Sequence, residues 1–144
     1  MDNKESEQLQ ILIAESDSDL LTLFKEYLSS LGVKTETATS GQEAILEFLK
    51  SKENKRPYNA IVLDTHLQNP SGLDVAKKIR SEKPDQKVVM ITTTPRKYLP
   101  EECLKNARLE DKYILSIPFN LSKLANLLKI NFLSSCQLSY YPIC

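Results

Sequence analysis

The sequence predicts an α/β fold: a doubly wound parallel sheet made by five successive repeats of strand then helix. Three observations carry this. Short apolar runs alternate along the chain with segments of helical periodicity. Two of those runs, Ala60-Ile61-Val62-Leu63 and Val88-Val89-Met90-Ile91, are continuously apolar, as strands covered on both faces must be. No repeat, low-complexity tract or linker rich in Pro, Gly or Ser divides the 144 residues, a length that suits one ordinary domain.

The first strand is Ile11-Leu12-Ile13-Ala14, ending in acids, and Leu20, Leu21, Phe24, Leu28 and Leu31 then recur at helical spacing until Gly32 stops the helix. Val33 to Ala38 alternates at period two, which predicts a strand exposed on one side near a sheet edge. Ser40-Gly41-Gln42-Glu43 has the S-x-x-E spacing of a capping box, opening a helix whose buried stripe is Ala44, Ile45, Phe48 and Leu49. After a polar loop over 51–57, Ala60 to Leu63 is predicted to be the central strand, ending at Asp64.

Gly72 to Glu82 reads as a helix with Leu73, Ala76 and Ile79 on one side. The fourth strand, Val88 to Ile91, ends in Thr92-Thr93-Thr94, and Pro95 forces a loop. Pro100 is placed at the first position of the next helix, with Glu101 and Glu102 at the positive end of its dipole. Tyr113-Ile114-Leu115-Ser116 reads as the fifth strand and Ile117-Pro118-Phe119 as a turn. Leu121, Leu124, Leu127 and Leu128 form the face of a last helix capped by Asn120.

Composition excludes several functions. Nineteen basic and nineteen acidic side chains cancel, which removes the broad positive field of a nucleic-acid binder. No apolar run approaches the ~18 residues of a membrane-spanning helix, so neither nucleic acid nor membrane is an expected partner. Three glycines cannot form a phosphate cradle, and one histidine excludes H-E-x-x-H. Cys103, Cys136 and Cys144 are too few and too scattered for a four-ligand zinc site. The N-terminal residues are polar and acidic, without the apolar core of a secretory signal, so the expected compartment is the cytoplasm.

In sheets of this kind chemistry gathers at the carboxyl ends of the strands. The polar residues there are Glu15, Ser16 and Asp17, then Asp64, then Thr92, then Ser116 beside Ile117. A lone aspartate at a strand end is usually a turn or cap residue, but the register of Asp64 with Glu15 and Thr92 favours a site. Asp17 or Ser18 is expected to cap the first helix. The side chains of His66, Arg96 and Lys97 are expected to be solvated, although either cation could swing toward the site.

Over residues 10 to 130 the chain resembles the response-regulator receiver domain, the phospho-aspartate module of two-component signalling. Carrying the resemblance are Ile11-Leu12-Ile13-Ala14-Glu15-Ser16-Asp17, Thr39-Ser40-Gly41-Gln42-Glu43-Ala44, Ile61-Val62-Leu63-Asp64, Gly72 eight residues later, and Ile91-Thr92. It implies a flavodoxin-like sheet with strand order 2-1-3-4-5. It also implies Asp64 as phosphoacceptor, Mg²⁺ held by Glu15, Asp64 and the backbone carbonyl of His66, and Thr92 as the hydroxyl that moves in to bond the phosphoryl group. The implied partners are a histidine kinase or phosphotransfer protein and a downstream protein, met through the fourth helix, fifth strand and fifth helix; a homodimer is a further expectation.

Departures from the pattern are specific. Ser16 replaces the second acid, Ile117 the lysine before the fifth-strand proline, and Ile114 the aromatic used as a rotamer switch, with Tyr113 on the opposite face. Leu67-Gln68 stands where Met-Pro usually follows, with Pro70 two residues on. Losing an acid and a lysine together leaves the charge of the empty site unchanged at minus two. Metal binding is therefore expected to survive at reduced affinity, through water held by Ser16 or with help from Asp17. The incoming phosphoryl lacks its fixed cation, a loss worth about 3 kcal/mol in the transition state, so slow phosphorylation or weak switching is expected.

The expectation is thus a stand-alone atypical receiver without an output domain, not a turnover enzyme beyond its own phosphorylation and dephosphorylation. The first rival is a phosphorylation-independent interaction module. The second is a small aspartyl-phosphate phosphatase or transferase, which lacks an evident substrate pocket or general base. Residues 1–9 are assigned to a polar tail and 131–144 to an uncharged apolar tail that folds back or makes a dimer or partner contact.

Overall fold

Five parallel strands form one sheet in the order β2-β1-β3-β4-β5. The structure is a computed structural model and describes residues 8–130; the expectations for the two tails lie almost wholly outside the described residues. The strands are β1 (Gln10–Ala14), β2 (Lys34–Ala38), β3 (Ala60–Asp64), β4 (Val88–Thr92) and β5 (Ile114–Ser116). Between and after them run α1 (Ser18–Ser30), α2 (Gly41–Glu53), α3 (Gly72–Glu82), α4 (Glu101–Asn106) and α5 (Leu121–Leu127), with short 3-10 turns at Arg96–Tyr98 and Asp111–Tyr113. Every expected element is present in the expected order, β2 lies at an edge, and β3 is the middle strand.

Strand alternation divides the core into two layers. Leu12, Leu63 and Met90 point to one face, where Ala44 and Phe48 of α2 and Val75, Ala76 and Ile79 of α3 cover them. Ile11, Ile13, Val62, Val89 and Ile91 point to the other, against Phe24 and Leu28 of α1 and Leu124 and Ala125 of α5. Phe48, Leu28 and Leu124 are essentially inaccessible, each contributing about 1.5–3 kcal/mol of hydrophobic stabilisation. Tyr113, expected to open the fifth strand, instead ends the 3-10 turn before it; Ile114 packs on the α2–α3 layer and Tyr113 on the α1–α5 layer, so the two still face opposite ways.

Local differences have local causes. Helix α2 continues through Glu53 and absorbs the first residues of the expected 51–57 loop, because Ser51 returns its hydroxyl to the Phe48 carbonyl and continues the buried row. Leu49 is 36% exposed rather than buried; it lies a full 100° step around the helix from Phe48. The capping box reaches one residue further back than expected: Ser40 Oγ accepts from Glu43 N at 3.1 Å, while Glu43 Oε1 accepts from Thr39 N at 2.6 Å. Pro100 is the N-cap of α4 rather than its first residue, and the Asn120 side chain makes no capping bond. Gly32, at φ 86°, closes α1 in a left-handed conformation that a side chain would strain.

Candidate functional site

The β1–β3 register, which ends by pairing Ala14 with Leu63, makes Glu15 and Asp64 the next facing pair. Both follow the alternation onto the α1–α5 side of the sheet. Glu15 is pinned first through its backbone, whose N–H donates to the Ala38 carbonyl at 3.0 Å and extends the β1–β2 ladder by one step. Its side chain is 3% exposed, and Oε2 accepts from Asp17 N at 3.1 Å. Asp64 is 7% exposed; its Oδ1 accepts from His66 N at 3.1 Å.

Two carboxyl groups thus share one buried spot. Burial pushes the Glu15 carboxyl up to about 8; the Asp17 N–H opposes this, while the hydrogen bond and charge of Asp64 add to it. Among the described residues no ion pair includes either carboxylate, and no third His, Cys, Asp or Glu joins them in a metal-binding group. Half-buried Ile117 packs into the α1–α5 layer and brings no charge.

The other candidates separate cleanly. Ser16 is exposed. Asp17 is the N-cap of α1, where its Oδ1 accepts from Asp19 N at 2.9 Å and Leu20 N at 3.1 Å. Arg96 does not swing toward the carboxylates: its guanidinium is bonded to Glu101 at the start of α4 at 2.9 Å and to Asp111 in the turn before β5 at 2.8 Å. His66 is exposed as expected, but its Nε2 lies 3.2 Å from Thr94 Oγ1.

Thr92 ends β4 and is fully buried. Its register neighbour is a residue that sequence reasoning passed over. Because Asp64 pairs with Ile91, the next step sets Thr65 beside Thr92, and their hydroxyl oxygens are 2.8 Å apart. Thr94 N donates to Thr92 Oγ1 at 2.9 Å, and the Thr92 carbonyl accepts from Ile117 N at 2.8 Å. Thr65 and Thr94 were legible in principle, as hydroxyl residues closely following the ends of two adjacent parallel strands.

The spot is an all-oxygen, anionic pair with a hydroxyl on the neighbouring strand. Such a set suits a hard divalent cation, since Mg²⁺ needs only one or two carboxylates and keeps several waters. A bound cation would favour the ionised form of Glu15, which burial otherwise opposes.

The model of the response regulator receiver domain matches residues 11–129. Among curated proteins, the transcriptional regulatory protein RprY of Bacteroides fragilis (strain YCH46) is 27% identical over 118 residues, covering 82% of this chain and 47% of the relative. The two-component response regulator 24 of Arabidopsis thaliana is 25% identical over 131 residues, covering 90% of this chain and 89% of that one. The chain therefore spans about half the length of the Bacteroides relative. Among solved structures, the response regulator TrrA of Thermotoga maritima in complex with Mg(2+)-BeF superposes with a TM-score of 0.72 at 27% identity, covering 85% of this chain and 97% of that one. A CheY-like receiver domain protein from Methanospirillum hungatei JF-1 gives a TM-score of 0.69 at 25% identity, covering 85% and 91%. Among the described residues no helix is long and apolar enough to cross a membrane. With the strand order, the facing carboxyls and the family match in agreement, this chain belongs to the response regulator receiver domain family of two-component signalling.

Proposed function

We propose that the chain is a phosphorylatable receiver with Asp64 as phosphoacceptor and an impaired phosphoryl site. The observation that supports this most is the buried facing pair of Glu15 and Asp64, next to a strand end that carries Thr92. One Asp64 carboxylate oxygen attacks the phosphorus of a phosphohistidine on a kinase or phosphotransfer protein. The P–N bond breaks, its electron pair stays on the imidazole nitrogen, and an acyl phosphate forms on Asp64.

Glu15, Asp64 and the His66 carbonyl would hold Mg²⁺, which when bound offsets the negative charge of nucleophile and phosphoryl group. Glu15 must release its proton for this. Thr92 supplies a hydroxyl donor for a phosphoryl oxygen, and output passes by protein contact to a downstream partner. The TrrA structure, a complex with Mg(2+)-BeF, supports the choice of cation.

The test is incubation with Mg²⁺ and acetyl phosphate followed by intact mass measurement. One added phosphoryl is expected, and it should vanish in Asp64→Asn.

A second reading is favoured by Ser16 and Ile117: the domain works as an interaction module without phosphorylation. Absence of any adduct would select it. A phosphatase or transferase would instead release inorganic phosphate over many turnovers. A cavity of about 250 Å³ lined by Gln10, Lys34, Glu36 and Tyr58 lies at the amino ends of β1 and β2, away from Asp64, and offers that third reading no support.

A further inference from the structure

We infer that Thr65 is a positioning residue that holds Thr92 disengaged from Asp64; this rests on the phosphoacceptor reading of Asp64. Strand alternation places Thr92 on the α2–α3 side of the sheet, with Met90, and Asp64 on the α1–α5 side, with Val62; Thr65, the first residue after β3, meets Thr92 through its hydroxyl. To donate to a phosphoryl oxygen on Asp64, the Thr92 hydroxyl must turn away from the side it occupies.

Two bonds oppose that turn. A hydroxyl has two acceptor lone pairs, and on Thr92 both are used, by the Thr65 hydroxyl at 2.8 Å and by Thr94 N at 2.9 Å. Rotation of Thr92 breaks both at once. Thr65 is a firm post for this purpose: its N–H donates to the Ile91 carbonyl at 2.9 Å, and its carbonyl accepts from Gly72 N at 3.4 Å, so both neighbouring elements hold its backbone.

The arrangement also says what else must move. Thr94 donates its backbone N–H to Thr92 Oγ1 while its own Oγ1 contacts the His66 ring, and the His66 backbone N–H is bonded to Asp64, so residues 94 and 66 link the Thr65–Thr92 pair to the phosphoacceptor. Thr92 is tied through its carbonyl to Ile117, the residue standing where the family has its lysine. A site without that cation has less attraction with which to draw Thr92 inward. The Thr65 bond therefore weighs more heavily on its switching equilibrium than it would in a complete site.

Two variants test this on the full chain. Thr65→Val removes the hydroxyl at nearly constant shape, and Thr65→Ser retains it. The first measurement is the Thr92 side-chain rotamer by NMR couplings without any phosphodonor: one rotamer is expected in the wild type and in Thr65→Ser, and averaging in Thr65→Val. The second is binding of beryllium fluoride with Mg²⁺, where Thr65→Val should bind about fivefold more tightly, the net worth of one neutral hydrogen bond, and Thr65→Ser should match the wild type. An unchanged Thr92 rotamer in Thr65→Val overturns the inference. So does a moved rotamer without tighter binding, or equal gains in Val and Ser variants. Failure of every protein, wild type included, to bind the analogue overturns the phosphoacceptor reading and this inference with it, and is recognised by its indifference to residue 65. Thermal unfolding of both variants identifies a Val substitution that fails to fold, in which case a Thr65→Ser that releases the Thr92 rotamer overturns the inference and one that keeps it while Thr65→Ala releases it supports it.

Discussion

Gly72 presses its bare Cα against the backbone of Asp64: a Cβ at residue 72 would overlap the Asp64 carbonyl oxygen and stand 2.8 Å from its carbonyl carbon. The start of α3 thus lies directly on the proposed phosphoacceptor. Gly72→Ala would normally favour a helix, but here the obstacle is backbone that cannot rotate away. The variant is expected to lose about 2 kcal/mol to overpacking, and to form less phosphoryl adduct because Asp64 is displaced. Equilibrium urea unfolding checks the first part, and wild-type stability would refute the close approach.

Asp17 is expected to serve α1 and not the metal. Asp17→Ala should cost about 1 kcal/mol by freeing the Asp19 and Leu20 N–H groups, whereas Asp17→Asn keeps a capping oxygen and should cost little. Both should retain Mg²⁺ binding. A loss of about tenfold or more in Mg²⁺ affinity for Asp17→Asn would move this carboxylate into the ligand set.

Much of this architecture is legible in the sequence, because it rests on patterns spanning several residues. Two continuously apolar runs located β3 and β4, and the alternation from Val33 to Ala38 located an edge. What could not be read depends on single contacts between distant segments. Leu49 has the chemistry of a core residue and lies one helical step off the buried row, while Ser51, polar and seven residues from Ala44, continues that row by bonding its hydroxyl to the chain. The same holds at the site. Glu15, Asp64 and Thr92 were marked by their places at strand ends, but the bond between Thr65 and Thr92 depends on the relative register of β3 and β4, which periodicity does not specify. The ion pairs of Arg96 required a short 3-10 turn that Pro95 announced only as a loop.

Glu15 gives the protein a stability that depends on pH. Its pKa rises from 4.5 to about 8 on folding, chiefly by burial, so between those values the folded state binds the proton that the unfolded state has released. The contribution is complete below about pH 4.5 and is lost as pH rises through about 8. Without divalent ions, stability should therefore decline across that window, and Glu15→Gln should flatten the decline and be the more stable protein at its upper end. Added Mg²⁺ should stabilise the wild type more at the upper end than at the lower, because the metal needs the released carboxylate, and should do little for Glu15→Gln. Thermal melts at several pH values, with and without Mg²⁺, decide the matter; a profile indifferent to residue 15 would remove the buried carboxyl as its cause.

Ile117→Lys tests whether the missing cation is what limits the phosphoryl step. Ile117 follows β5, half-buried against the α1–α5 layer, and its N–H is bonded to the Thr92 carbonyl, so a lysine there starts from a backbone already tied to the end of β4. The alkyl part of a lysine can lie along the apolar surface while its ammonium extends toward the carboxylates. Replacing the isoleucine should cost about 1 kcal/mol of packing. Set against this, a positioned cation acting on developing phosphoryl charge is worth about 100-fold or more in rate. The expected outcome is faster adduct formation from acetyl phosphate with Mg²⁺ and an unchanged dependence on Asp64. If the variant folds and its adduct forms no faster than the wild type's, charge at residue 117 is not the defect, and the vacant carboxylate at Ser16 becomes the deficiency to restore, by Ser16→Asp, with Mg²⁺ affinity as the readout.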